Sequence, residues 1–149
     1  MKLTWDNYAK RKPDPPGGLG TPGSSTVYFG GDGWTVRNIA FENTAGRVGQ
    51  AVAVQCLGTG LHFIGCRFLG NRDTLYLYGV GNRDGRALRR MPASVSTTAT
   101  SRGRPISSSA PAAALFRPLC EIRSKADSYI TAASTCRGQA CGLIFEGAA

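Results

Sequence analysis

The chain has 149 residues, 42% of them hydrophobic, with 20 glycines and 8 prolines, which is enough for one domain and no more. No run of about 18 apolar residues exists, and the opening Met1–Asp6 lacks the hydrophobic stretch of an export signal, so neither a membrane span nor an intact signal peptide is expected. A net charge of +9 invites polyanion partners, whereas a single histidine, His62, and five cysteines without a Cys-x-x-Cys pair are too few for a zinc site of the usual spacing, so no metal is expected.

Residues 1–25 carry Pro13, Pro15, Pro16, Gly17, Gly18, Gly20, Pro22 and Gly23, and this density of breakers reads as loop. From Thr26 to Gly79 the texture changes to short Val, Ile, Phe and Tyr runs with alternating polar partners, separated by Gly, Asn and Asp, which predicts strands and tight turns. The expected strands are 26–29, 34–41, 51–55, 61–64 and 74–78. The run Asp32–Phe41 lines up with Thr59–Phe68 at an offset of 27 residues. Short strands recurring at one-coil spacing favour a solenoid, with a β-sandwich as the rival architecture. The Gly30–Gly33 cluster reads as a coil turn, since no helix follows it. His62, in an apolar run, reads as a packed or edge-facing side chain. Cys66, Cys120, Cys136 and Cys141 read as small apolar side chains, with a Cys136–Cys141 loop bridge as the lesser alternative.

Residues 86–115 differ in kind. Arg86, Arg89, Arg90, Arg102, Arg104 and Arg117 lie in a stretch from Gly85 to Cys120 that has no acidic residue, and no aromatic residue falls between Tyr78 and Phe116. Ser, Thr and Ala runs bury too little apolar area to offset their ordering entropy, so this segment is expected to be disordered. Without aromatic side chains to stack on bases, its arginines do not predict specific nucleic-acid binding. Strand texture returns at 120–125, 129–133 and 142–146.

Within the ordered texture, Leu3–Ala9, Thr21–Val27, Val36–Gly46, Gly49–Val54, Cys66–Tyr76 and Tyr129–Ser134 resemble, in the same order, blocks of the pectinesterases. The Asn-x-x-Phe-x-Asn, Gln-Ala-Val-Ala and Asp-Thr-Leu-Tyr blocks together carry the resemblance, over residues 1 to about 85 and 116 to 149. It implies an all-β, right-handed parallel β-helix, here a fragment, that binds methyl-esterified homogalacturonan along its coils. It also implies hydrolysis of methyl esters by one attacking aspartate, one aspartate serving as acid and base, and a glutamine amide facing the oxyanion. Residue by residue, Gln50 resembles the oxyanion and substrate-binding glutamine, Asp73 the acid/base, and Thr21 a substrate-contacting threonine. Without the resemblance, Gln50 also reads as a strand-edge hydrogen bonder, Asp73 as a turn aspartate capping Thr74, and Thr21 as a loop residue. The family implies a monomer without metal or organic cofactor, in a secreted or cell-wall setting, with no membrane partner.

Two departures stand out. Arg72 occupies the position where the family has glutamine, and the Gly-Thr-x-Asp-Phe-Ile-Phe-Gly block that carries the attacking aspartate is missing from the region after Asp73. The chain is also not expected to reach the family's Leu-Gly-Arg-Pro-Trp block. Codons for Val95–Pro111 exist that, read two bases later, spell Phe-Asp-Asp-Cys-Tyr-Ile-Glu-Gly-Thr-Thr-Asp-Phe-Ile-Phe-Gly-Ser, which contains the missing block. The expectation is a frame disruption that opens between about Asp84 and Met91 and closes near Leu115, leaving an inactive chain or a non-catalytic remnant that binds acidic polysaccharide. The expected organisation is therefore 1–85 as β-helix, 86–115 as low-complexity segment and 116–149 as further coils.

Overall fold

Thr35 pairs with His62, 27 positions further along, and the neighbouring pairs are Val36 with Phe63 and Arg37 with Ile64. Ala40 with Arg67 and Phe41 with Phe68 keep the same spacing, so the weak repeat in the sequence is the register of two successive coils. The computed structural model describes residues 1–12, 18–77, 99–102, 106–108, 114–116, 121–123, 131–132 and 142–146. The readings made for Cys120, Cys136 and Cys141 lie outside the described residues.

In chain order the elements are β1 (Lys2–Trp5), the single-turn α1 (Gly20–Gly23), β2 (Val27–Phe29), β3 (Thr35–Arg37), β4 (Ala40–Asn43), β5 (Val54–Cys56), β6 (His62–Ile64), β7 (Cys66–Leu69) and β8 (Leu75–Leu77). They continue as β9 (Ala99–Arg102), β10 (Ile106–Ser108), β11 (Ala114–Phe116), β12 (Glu121–Arg123), β13 (Thr131–Ala132) and β14 (Leu143–Phe145). One sheet runs β1-β4-β7-β9-β12 and a second runs β13-β10-β8-β5-β2, while β3-β6 and β11-β14 form two-stranded pieces. Every pairing between these strands is parallel. Coils such as β2-β3-β4 and β5-β6-β7 thus lie flat on one another, and the architecture is a parallel β-helix.

Side-chain alternation decides what lies inside. In β7, Cys66 and Phe68 are buried and Arg67 is exposed, whereas β5 and β8 are buried throughout, as strands covered on both faces are. Phe63 lies at the centre, with ring centroids 5.2 Å from Phe29, 6.2 Å from Phe41 and 5.3 Å from Phe68. Phe41 and Phe68, in register on adjacent coils, stack at 5.8 Å with their planes 11° apart. His62 is exposed on β6. Cys56 and Cys66 are free and buried, and burial pushes the Cys56 thiol pKa up, so it stays a protonated apolar filler rather than a nucleophile.

Three local expectations are corrected. The run 34–41, read as one strand, is two, because Asn38 turns the chain at φ 56°; Gly65, its partner one coil on, turns at φ 61°, and a Cβ there would strike Asn38 Oδ1. Asparagine and glycine are the residues that reach this left-handed region at least cost. Lys2–Trp5, inside the stretch read as loop, is β1, because the breakers sit after residue 12 and β4 offers an edge to pair with. Residues 99–102, 106–108 and 114–115 are strands within the segment expected to be disordered. Backbone pairing explains this: each coil leaves a row of N–H and C=O groups that accepts the next strand whatever its side chains.

Candidate functional site

The residues singled out in sequence come together where the 44–53 segment meets two turns. Arg72 and Ala51 form an isolated antiparallel bridge, with the Ala51 N–H donating to the Arg72 carbonyl at 3.2 Å. In an antiparallel pair, one step back along one chain corresponds to one step forward along the other. Gln50 and Asp73 are therefore the residues adjoining the bridge on the same end.

Asp73 sits at φ 56°, a conformation aspartate tolerates better than most residues. The carbonyls on both sides of it are pinned. Arg72 accepts from Ala51, and the buried Thr74 accepts from Ala53 at 2.9 Å and Val54 at 3.1 Å. The backbone of Asp73 is thereby fixed against the coil that carries Gln50, and the side chain is half-buried. Arg72 is exposed.

Gln50 is exposed, and Thr21 on α1 is half-buried beside it. The Thr21 hydroxyl donates to Gln50 Oε1 at 2.8 Å. The Gln50 carbonyl accepts from the Ala9 N–H at 2.9 Å, and the Ala9 carbonyl accepts from the Gly20 N–H at 3.0 Å. Gly18 at φ 76° and Gly20 at φ 67° make the bends that bring α1 to this point, and a side chain at Gly18 would also press on the Ala9 carbonyl at 3.2 Å.

Two supporting residues escape a reading of the sequence. Ser24, wholly buried, donates through Oγ to the Thr21 carbonyl at 2.6 Å and accepts the Val52 N–H at 3.3 Å. Asn43, the last residue of the Asn-x-x-Phe-x-Asn block, is 2% exposed and donates from Nδ2 to the carbonyls of Asn7, Ser24 and Val52 at 2.9 to 3.0 Å, while its Oδ1 accepts from Ala45 N–H. One amide thus ties together the segment after β1, the end of α1 and the entry to β5. The sequence signal for Asn43 is its place at the end of that block, which does not show what its amide holds.

Asn43→Ala leaves three carbonyls and one N–H without this partner in a buried or half-buried setting, and we expect a loss of about 2–3 kcal/mol, near the upper end for an unsatisfied buried group. Urea unfolding followed by circular dichroism measures it. A change within about 0.5 kcal/mol, the range of an ordinary surface substitution, would refute the role.

A family profile described as Pectinesterase matches residues 16–83. Pectinesterase 31 of Arabidopsis thaliana is 41% identical over 81 residues, covering 51% of this chain and 26% of that protein. The profile match takes in Thr21, Gln50 and Asp73. Over this part, the chain matches the pectinesterase family. A putative pectinesterase/pectinesterase inhibitor 28 of the same plant is 45% identical over 62 residues, 41% of this chain and 8% of its own length. Among solved structures, the pectin methylesterase of Yersinia enterocolitica superposes with TM-score 0.80 at 22% identity over 99% of this chain and 50% of its own. Pectin methylesterase PemA of Erwinia chrysanthemi gives 0.78 at 23% identity, with 99% and 47% covered. These structural likenesses establish the fold. The chain spans about half the length of the solved pectinesterases and about a quarter or less of the two plant relatives.

Within the pectinesterase frame, the structure brings Thr21 into contact with Gln50 and sets Gln50 and Asp73 beside one bridge. No group of three or more His, Cys, Asp or Glu able to hold a metal occurs among the described residues.

Proposed function

We propose that the chain carries the cleft of a pectinesterase, a carboxylic ester hydrolase that converts methyl-esterified homogalacturonan to pectate and methanol, and that in this sequence the cleft binds without turning over. The observation that carries the reading is the Ala51–Arg72 bridge, which sets Gln50 and Asp73 side by side from coils 21 or more residues apart in sequence. In this reading the Gln50 amide donates to the oxygen that becomes negative when the ester carbonyl is attacked, and Asp73 gives a proton to departing methanol and then activates water. The attacking carboxylate belongs to a block that this sequence lacks. Without it no acyl-enzyme forms, and binding of the polymer is what remains.

A methyl-esterified hexagalacturonate is the ligand we choose for the test; a solved pectin methylesterase in complex with a hexasaccharide, 21% identical to this chain, makes that length reasonable. Calorimetric titration should show binding, and Gln50→Ala should weaken it about three- to tenfold, the worth of one hydrogen bond. Equal affinity of the two proteins, or no binding by the parent chain, would overturn the reading. The proposed setting is secreted or cell-wall, and the proposed state is a monomer.

A further inference from the structure

We infer that Arg72 sets the charge preference of the proposed cleft, so that the ligand it holds best is the de-esterified polymer, a run of galacturonate carboxylates, rather than the methyl ester. The inference deepens the proposed function and rests on its reading of the groove beside Gln50 and Asp73 as a cleft for homogalacturonan.

One peptide bond organises the groups concerned. The Gln50 carbonyl accepts from the Ala9 N–H at 2.9 Å, and the Ala51 N–H, at the other end of the same peptide, donates to the Arg72 carbonyl at 3.2 Å. The two ends of a trans peptide point opposite ways, so the Ala9 turn and residue 72 flank Gln50 on its two sides, each at about the 4.8 Å spacing of hydrogen-bonded chains. Both sides bring cations. Lys10, Arg11 and Lys12 follow Ala9, and the Leu19 N–H donates to the Arg11 carbonyl at 3.1 Å, which holds this run against the entry to α1. Arg47 stands three positions before Gln50, between the turns at Gly46 and Gly49. All five side chains are exposed. Arg11 is already engaged, with Nη1 3.2 Å from Asp6 Oδ1 and 2.8 Å from Asn7 Oδ1. Among the described residues, no hydrogen bond or ion pair engages the side chains of Lys10, Lys12, Arg47 or Arg72, and Arg72 forms none with the adjoining Asp73.

The charge at position 72 decides which form of the polymer gains. Where the resemblance implies a neutral glutamine, this chain has a guanidinium, which stays charged and whose fork matches both oxygens of one carboxylate. A methyl ester offers that fork a single carbonyl oxygen without net charge, whereas a free uronate offers two oxygens that share a full one. A cation also suits a negative oxygen that arises during turnover, but without the attacking carboxylate no such oxygen forms, and the charge Arg72 meets is that of the bound polymer itself. Lys10, Lys12 and Arg47 add a field of the same sign, against Asp73 as the carboxylate at the bridge. A polymer with a charge on every sugar meets that field at several points, and a fully esterified one at none. Because the cations are exposed, their attraction is screened by salt, and the preference shrinks as ionic strength rises.

The test titrates the full chain calorimetrically with hexagalacturonate and with its methyl ester, each at low and at physiological ionic strength. We expect the unesterified hexamer to bind more tightly than the ester, and the gap to close as salt is added. Arg72→Gln, an exposed change to the residue that the family has, should weaken binding of the unesterified hexamer about three- to tenfold, between the worth of an exposed ion pair and that of a charge-assisted hydrogen bond, and leave the ester within about twofold. Arg37→Gln removes the same charge from the exposed end of β3, on a different sheet, and should leave both affinities within about twofold. An ester bound as tightly as the unesterified hexamer, or an unchanged affinity in Arg72→Gln, would overturn the inference. So would an equal loss in Arg37→Gln and Arg72→Gln, which would show that net charge alone attracts the polymer. Binding of the ester alone overturns the inference and leaves the pectinesterase reading of the cleft standing, whereas binding of neither hexamer overturns both.

Discussion

Purified protein mixed with highly methyl-esterified pectin should release methanol no faster than pectin alone. Removing the nucleophile of a hydrolase costs on the order of a million-fold in turnover, because the residual binding and oxyanion groups have no covalent step to assist. In the proposed reading Asp73 and Gln50 hold the acid/base and amide positions, and the missing carboxylate is enough for the expected silence. Methanol above background that disappears in Asp73→Asn would show the prediction wrong. A second protein sharpens it, with the alternate-frame peptide substituted for residues 95–110. In that peptide the attacking aspartate is spelled by the last base of codon 105 and the first two of codon 106. Ile106 pairs with Leu75, two residues after Asp73. The restored aspartate would therefore enter the next coil beside the Asp73 turn, and methanol release should rise above that of the parent chain. Sequencing of the gene across codons 80–120 tests the origin of the segment independently, since codons incompatible with the alternate frame exclude a disruption.

Phe63→Ala should remove about 3–5 kcal/mol of stability, the range for a buried phenylalanine whose neighbours relax only in part. Phe63 is fully buried and its ring meets those of Phe29, Phe41 and Phe68, so the cavity opens between two coils rather than at one face. Against a total of about 5–15 kcal/mol for a domain, this is a large share. Denaturant titration followed by near-ultraviolet circular dichroism is the measurement. A loss below about 1 kcal/mol, typical of positions that do not pack tightly, would mean that the aromatic column does not hold the coils together.

The coil register was legible in the sequence because a parallel β-helix writes its spacing directly into the inward side chains. Phe41 and Phe68 are one coil apart in the repeat and stack in the structure. The split of 34–41 into two strands was not legible, since Val36 and Ile39 suit an extended chain and one asparagine between them does not by itself fix a turn; in the structure the left-handed turn at Asn38 is repeated one coil on at Gly65. Gln50, Asp73 and Thr21 could be picked out by motif, but their relation could not. The contact between Thr21 and Gln50 spans 29 positions and depends on Ala9 and Ser24, residues whose types carry no signal of their own. Asn43 was hidden for the same reason, because its worth lies in three carbonyls that only the folded chain brings together.

The stacking of like on like has one more consequence. Each coil touches only its two neighbours, so damage in a solenoid propagates as in a row of bricks rather than as in an arch. The Phe29–Phe41–Phe63–Phe68 column and the clamp of Thr21 on Gln50 are all built from residues 9–68, upstream of the segment whose side chains depart from the family. A gene can therefore lose its chemistry in a later coil while the earlier coils go on specifying the same groove.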